Sequence, residues 1–143
     1  MNEIFMKKAI EIAQNSGKDI PIGAVIVKNN EIIAYCCNEK EKDNDVTAHA
    51  EIQAIRKSSK ILNNWRLNGC DIYVTLEPCP MCMWAICCAR IENLYFGAYD
   101  NLYGAVSTTP QLIELSKSKI NIKGGIMENE CNKLLSRYFE KLR

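Results

Sequence analysis

The sequence predicts a three-layer α/β/α protein built around a five-stranded mixed sheet. Helix-like and strand-like segments interleave along the chain in the order α-β-β-α-β-α-β-(α)-β-α, an alternation typical of helices packed on a sheet. Two apolar segments, residues 23–27 and 31–37, flank Asn29-Asn30, a pair that favours a two-residue hairpin turn. Because hairpin strands are antiparallel, the sheet is expected to be mixed.

The N-terminal half of the chain supplies one helix before this hairpin and one after it. Apolar residues at helical spacing predict the first helix over residues 3–15, ended by Gly17. The polar stretch Asn38–Asp45 then predicts a loop. Thr47 is a suitable N-cap residue for a second helix over residues 48–57.

In the C-terminal half, proline marks the main boundary. Residues 70–76 form an apolar run typical of a buried strand, and Pro80 suits the first turn of a helix over residues 81–90. Three shorter segments follow: a strand over residues 94–98, a helical fragment over 112–115 and a strand over 120–123.

The last predicted element is an amphipathic helix from Glu128 to Leu142. Its inward residues are expected to be Leu134, Leu135, Tyr138 and Leu142. The outer face carries three basic residues spaced four apart, Lys133, Arg137 and Lys141. Such a stripe is either a solvated helix face or a strip that contacts phosphate groups.

Length and composition exclude several classes of protein. The chain has 143 residues, which indicates a single domain over residues 1–143. Its 48% hydrophobic and 24% charged residues exclude intrinsic disorder. The net charge of +1 indicates no global attraction to nucleic acid. No apolar run approaches the roughly 20 residues of a membrane span, and no signal peptide is evident, so we expect a cytoplasmic protein without membrane association.

One histidine and two cysteines form a candidate metal site. His49 is the only histidine in the chain, and Cys79 and Cys82 form a C-x-x-C pair at a predicted helix start. One imidazole and two thiolates are suitable ligands for Zn²⁺, and three protein ligands leave the fourth tetrahedral position open for water, as in catalytic zinc sites. The sequence therefore predicts one zinc ion per chain. The six other cysteines are expected to fill the core in a reducing compartment.

Glu51 is the candidate catalytic carboxylate. It lies two residues after His49, roughly 200° around a helix, so it is poorly placed to bind the same metal but could reach a bound water. Two thiolates cancel the zinc charge and limit how far the ion acidifies that water. A neighbouring carboxylate must then accept the proton as general base and later donate it as general acid.

Each half of this pattern has a simpler interpretation. The histidine could be a hydrogen-bonded residue near a helix start, and the C-x-x-C pair could be a redox pair or half of a closed Cys₄ site. The combination of H-x-E with P-C-x-x-C is far more specific and is typical of zinc-dependent nucleobase deaminases.

The chain resembles the bacterial tRNA-specific adenosine deaminases of the cytidine deaminase superfamily. The resemblance lies in five stretches, at residues 21–25, 47–51, 65–70, 73–79 and 96–98. It implies a cytidine deaminase-like fold, conversion of the wobble adenosine of a tRNA anticodon to inosine, and a homodimer. The anticodon stem-loop would then be the partner.

The same resemblance implies residues that hold the target base. Asn38 would hydrogen-bond to the base, Ile22 would pack against it, and the Ala50 backbone would lie in the same pocket. Asp100 would lie in a loop near the flanking nucleotide. At the end of the last helix, Phe139 and Arg143 would contact the anticodon loop.

Two other functions stay open at this point. The bulky Trp84 behind the C-x-x-C pair and Tyr99 in the loop after the fourth strand depart from the pattern of the family. They leave room for a deaminase of a free base or nucleoside, of the guanine, cytosine or cytidine type. The other alternative is a non-catalytic zinc or redox module.

Overall fold

The structure is a computed structural model that describes residues 1–142. Its helices are α1 (Glu3–Ala13), α2 (Lys40–Asp43), α3 (Ala50–Leu62), α4 (Pro80–Cys88), α5 (Gln111–Ser116) and α6 (Glu128–Lys141). Its strands are β1 (Gly23–Lys28), β2 (Glu31–Cys37), β3 (Cys70–Leu76), β4 (Asn93–Ala98) and β5 (Asn121–Lys123).

The five strands form one mixed sheet in the order β2-β1-β3-β4-β5. Strand β1 is antiparallel to both of its neighbours, whereas β3, β4 and β5 are parallel. Helices α1 and α6 pack on one face of the sheet, and α3 packs on the other face with α4 beside it. The predicted three-layer α/β/α class with a five-stranded mixed sheet is confirmed.

Alternating side chains of β1 join the two halves of the core. Ala24 and Ile26 lie in the apolar cluster under α3 and α4, whereas Val25 and Val27 lie in the cluster under α1. This is the period of two expected for a strand buried on both faces. The hairpin turns at Asn29 and Asn30 with φ of 51° and 64°, as a two-residue turn requires.

Helix α3 begins and ends later than the sequence predicts. His49, not Thr47, is its N-cap residue, because the Thr47 hydroxyl donates a hydrogen bond to Asp45 Oδ1 at 2.7 Å. The helix continues to Leu62 because Ala54 and Ser58 keep it packed on the sheet. Helix α2 is a further difference, since it lies within the stretch predicted as a loop.

Helix α6 packs by its N-terminal end. Cys131 is its one fully buried residue, and it lies so close to Gly97 of β4 that a Cβ at Gly97 would collide with its sulfur. Because the close approach is made at this end, the last turn lies away from the sheet. The prediction that Leu142 faces inward is therefore wrong, since its side chain is 66% exposed.

Two features of residues 1–142 concern membrane-spanning segments and disulfide bonds. No helix within residues 1–142 combines the length and the apolar run needed to cross a membrane. All eight cysteines are free. Of the six expected to fill the core, five are buried, but the prediction is wrong for Cys88, which is exposed at the end of α4.

Candidate metal centre and active site

The candidate site lies where the carboxyl ends of two parallel strands meet the N-termini of two helices. Leu76 and Ala98 are paired at the ends of β3 and β4. His49 is the N-cap residue of α3, and Cys79 is the N-cap residue of α4. Helix N-termini favour negative charge, so both helices stabilise thiolates and anions at this point.

The three predicted ligands lie together at distances that suit zinc. His49 Nδ1 is 3.8 Å from Cys79 Sγ and 3.5 Å from Cys82 Sγ, and the three donor atoms lie within 4.8 Å of one another. A tetrahedral zinc with bonds of about 2.0 Å to nitrogen and about 2.3 Å to sulfur would separate the two atoms by about 3.5 Å. The donor set therefore fits a zinc ion without rearrangement.

The two thiols compete for one negative charge. A hydrogen bond from Cys82 lowers the pKa of Cys79 to about 4. The hydrogen bond to Cys79, together with burial, raises the pKa of Cys82 far above its ordinary range. Contact with Cys79 also raises the pKa of His49. Both sulfurs can be ionised together only beside a cation, which is what a soft divalent metal provides.

Glu51 occupies the first turn of α3, and its side chain is only 4% exposed. Burial raises the pKa of its carboxyl to about 7. A carboxyl group with that pKa can both accept and release a proton near neutral pH. It lines the same cavity as His49 and Cys79.

Asn38 joins the end of β2 to the start of α3. Its Oδ1 accepts a hydrogen bond from the Ala50 backbone N–H at 3.0 Å, and its Nδ2 donates to the Ile20 carbonyl at 3.1 Å. One N–H and one lone pair of the amide remain for another partner. The fixed amide therefore presents a donor and an acceptor beside the candidate metal centre.

A cavity of about 450 Å³ opens above the candidate metal centre. Of the predicted substrate-binding residues, Asn38, Ile22 and Asp100 line it. Ala50 is fully buried behind Asn38.

The other two predicted substrate-binding residues do not line this cavity. Phe139 lines a separate surface depression, and Arg143 lies outside the described residues. A larger cavity of about 700 Å³ at the opposite ends of β3 and β4 contains none of the predicted site residues.

Sequence reasoning missed several residues around this cavity. Two tyrosines, Tyr103 and Tyr138, and two lysines, Lys18 and Lys40, also line it. The Tyr138 hydroxyl donates to the Lys18 carbonyl at 3.0 Å, so α6 is tied to the turn after α1. No local pattern marks these residues, because they converge on the cavity from four distant segments.

Glu77 is a further residue whose role was not predicted, although it lies within residues 73–79, one of the stretches that carry the resemblance. Its buried carboxylate accepts hydrogen bonds from the backbone N–H groups of Asp100, Val106 and Ser107 at 2.8–3.0 Å. We call residues 100–107 the rim loop, because the loop borders the cavity. A Cβ at Gly104 would collide with the same carboxylate. A carboxylate between an apolar strand and a proline was the available signal.

The comparisons with known proteins agree with this chemistry. The family model described as "Cytidine and deoxycytidylate deaminase zinc-binding region" matches residues 1–98. The expected zinc cofactor is thus confirmed at the level of the family, and the enzymatic interpretation is favoured over a non-catalytic module.

Relatives that match over nearly the whole chain identify a more specific group within this family. The tRNA-specific adenosine deaminase of Bacillus subtilis (strain 168) is 40% identical over 146 residues, which cover 99% of this chain and 91% of that protein. A solved structure from a study of A-to-I editing by tRNA:A34 deaminases is 40% identical, with a TM-score of 0.90 and coverage of 94% and 100%. A guanine deaminase structure from Bacillus subtilis is 46% identical over 69% of this chain and 66% of its own, with a TM-score of 0.66. The chain belongs to the tRNA-specific adenosine deaminases of the cytidine and deoxycytidylate deaminase family.

Proposed function

We propose that this chain is a zinc-dependent hydrolytic deaminase that converts the wobble adenosine of a tRNA anticodon to inosine. The observation that carries the proposal is the cluster of His49, Cys79 and Cys82 beside the buried Glu51, at the floor of a cavity open to solvent. Likeness to tRNA-specific adenosine deaminases over nearly the whole chain supports this substrate over a free base.

His49, Cys79 and Cys82 are the proposed ligands of the metal. When bound, zinc supplies a Lewis acid that activates water for attack on the base. Glu51 is the proposed proton carrier: its carboxylate accepts one proton from the water and delivers it to the ring nitrogen, where it stays. The carboxylate then carries the second proton, from the new hydroxyl group at C6, to the departing amino group. The overall reaction replaces the 6-amino group of adenine with oxygen from water and releases ammonia.

Asn38 and Ile22 are the proposed contacts to the adenine ring. The free N–H and lone pair of the Asn38 amide can pair with a purine edge. The half-buried Ile22 side chain, which lines the cavity, offers an apolar surface for the ring face. The bond from Ala50 to Asn38 holds the amide in place, so Ala50 acts through its backbone.

RNA is the proposed partner. A base must leave its stack to reach the buried Glu51. A hairpin loop lets one base do so at low cost. Exposed Lys133, Arg137 and Lys141 on α6 are suited to contact phosphate groups, and such binding weakens steeply with salt. Asp100 on the cavity wall stays a candidate contact to the flanking nucleotide. Phe139 and Arg143 stay candidates for contacts to the anticodon loop.

A homodimer in the cytoplasm is the proposed state of the chain. Helix α4 buries one face in the core, while Met81 and Trp84 on its other face remain 38% and 39% exposed. The family resemblance implies a second copy of the chain, and the exposed apolar face of α4 is the proposed contact surface. Eight free cysteines support a reducing compartment.

Free-base deamination is the second candidate, favoured by the 46% identity to a guanine deaminase over part of the chain. Ammonia release measured in parallel on an anticodon stem-loop, guanine, cytosine and cytidine tests both. We expect turnover of the stem-loop, with inosine mapped to the wobble position. Turnover of guanine with an unreactive stem-loop would overturn the proposed function.

A further inference from the structure

The rim loop is held as a rigid element. Besides the three bonds from the loop backbone to Glu77, the Ala105 N–H donates to the Pro78 carbonyl at 2.8 Å. Asp100 Oδ1 accepts from the backbone N–H groups of Leu102 and Tyr103 at 3.0 and 3.1 Å. The backbone at Tyr103 is thus fixed by bonds that lead directly to the segment carrying Cys79.

Tyr103 is the aromatic side chain that this loop presents to the cavity. It lines the cavity that also contains His49 and Glu51, yet its side chain is 67% exposed. An exposed aromatic ring on a loop that is already ordered can stack on a ligand with little further loss of conformational entropy.

A second aromatic residue, on a different element, also lines the cavity. Tyr138 of α6 lines the cavity and is anchored by its hydrogen bond to Lys18. Its ring meets Phe139 edge to face, with centroids 5.2 Å apart. The cavity therefore has an aromatic ring on each of two separate elements, an arrangement suited to unstacked bases.

We infer that Tyr103 is a specificity-determining residue that stacks on a nucleotide adjacent to the target base. This inference rests on the proposed function. When one base of an RNA loop enters the cavity, its neighbours stay outside, where exposed aromatic rings can receive them. A free base has no such neighbour, so Tyr103 favours an oligonucleotide over a free base.

Steady-state kinetics on an anticodon stem-loop test this role with three variants. Base–aromatic stacking of ordinary strength predicts that Tyr103→Ala raises KM about 10-fold, with kcat and zinc content unchanged. Tyr103→Phe, which keeps the ring, should stay within about twofold of wild type. Leu102→Ala is the matched control, since Leu102 is 76% exposed on the same loop and does not line the cavity.

Substrates lacking one base separate stacking from other effects. Removing the base on one side of the target adenosine should abolish the difference between wild type and Tyr103→Ala, as in a double-mutant cycle. A difference that persists when either neighbouring base is removed would overturn the inference, as would equal KM values on the intact stem-loop. If wild type neither binds nor deaminates the stem-loop, the proposed function fails and the inference fails with it.

Discussion

Glu77 accepts hydrogen bonds from both the backbone N–H and the hydroxyl of Ser107, at 2.8 and 2.6 Å. It also accepts from the Asp100 N–H at 3.0 Å, so one buried carboxylate joins the two ends of the rim loop. Because Glu77 is followed by Pro78 and Cys79, the wall of the cavity and the candidate metal centre are fixed by one short segment.

Glu77→Gln is expected to loosen this loop. The amide has one oxygen fewer, and its NH₂ group would face backbone N–H groups that the carboxylate now accepts from. Leaving such buried groups unpaired costs about 1–3 kcal/mol, which should appear as a lower free energy of unfolding in urea. The KM for the stem-loop should rise, while zinc content stays at the wild-type level because the ligands are unchanged.

Glu130→Gln is the control for this variant, since Glu130 is an exposed carboxylate on α6. Its free energy of unfolding should stay within about 0.5 kcal/mol of wild type. An equally small change for Glu77→Gln, with an unaltered KM, would mean that the rim loop does not depend on this carboxylate.

Local signals account for the elements that the sequence predicts well. Strands β2 and β3 have the predicted bounds, 31–37 and 70–76, since apolar runs ended by Asn-Asn or proline are visible within a few residues. The proposed ligands His49, Cys79 and Cys82 could be predicted for the same reason, as each belongs to a short pattern at a helix start.

The cavity wall could not be predicted in this way. The bond between Glu77 and Ser107 spans 30 residues, and the bond between Tyr138 and Lys18 spans 120. The amphipathic pattern predicts that Tyr138 faces inward, but it does not show that the ring reaches the cavity. Phe139, which only the resemblance implied, lies 100° further around the helix and lines a separate depression.

Glu51→Gln tests the proposed proton carrier. The amide keeps the size of the side chain but cannot accept a proton, so we expect turnover of the stem-loop to fall by about 10²- to 10⁴-fold. Zinc content, measured by elemental analysis, should stay at one ion per chain. Glu114→Gln on α5 is the control with an exposed carboxylate and should retain activity. Residual activity above a tenth of wild type would exclude Glu51 as the proton carrier.

Cys82→Ala tests the link between metal binding and stability. A metal bound only by the folded chain stabilises it by about 4 kcal/mol at 1,000 times its Kd, so chelation should lower the Tm of wild type. The variant should contain no zinc, and its Tm should not respond to the chelator. Cys88→Ala changes an exposed thiol at the end of the same helix and should behave like wild type. Full zinc content in Cys82→Ala would remove Cys82 from the ligand set.

Trp84→Glu tests the proposed dimer. A charge on the exposed face of α4 would have to be buried against the second copy. Loss of a central tryptophan contact typically costs at least about 2 kcal/mol, or a 30-fold rise in the dimer Kd. Sedimentation velocity should therefore show a monomer at concentrations where wild type is dimeric. Trp65→Glu alters the other tryptophan, which lies on a loop against Arg66, and should remain dimeric.

Cys131 is expected to make the folded chain less stable in alkali. Burial raises the pKa of its thiol from 9.0 to about 12. Between these values the unfolded chain has lost a proton that the folded chain keeps, so the free energy of unfolding falls as pH rises. Below pH 9 the thiol is protonated in both states, so the free energy of unfolding keeps its full value; above pH 9 this free energy declines. From pH 8 to 10.5 the loss attributable to this thiol should be about 2 kcal/mol.

Cys131→Ala isolates this contribution, because other groups that ionise in alkali are common to both chains. The variant lacks the thiol that packs on Gly97, so it should be less stable than wild type at pH 8. The difference in the free energy of unfolding between the two chains should shrink as pH rises, because only the wild-type chain is destabilised by keeping a buried thiol protonated. Urea unfolding at pH 8, 9, 10 and 10.5 gives both curves, and parallel curves would show that the Cys131 thiol ionises equally in the folded and unfolded chains.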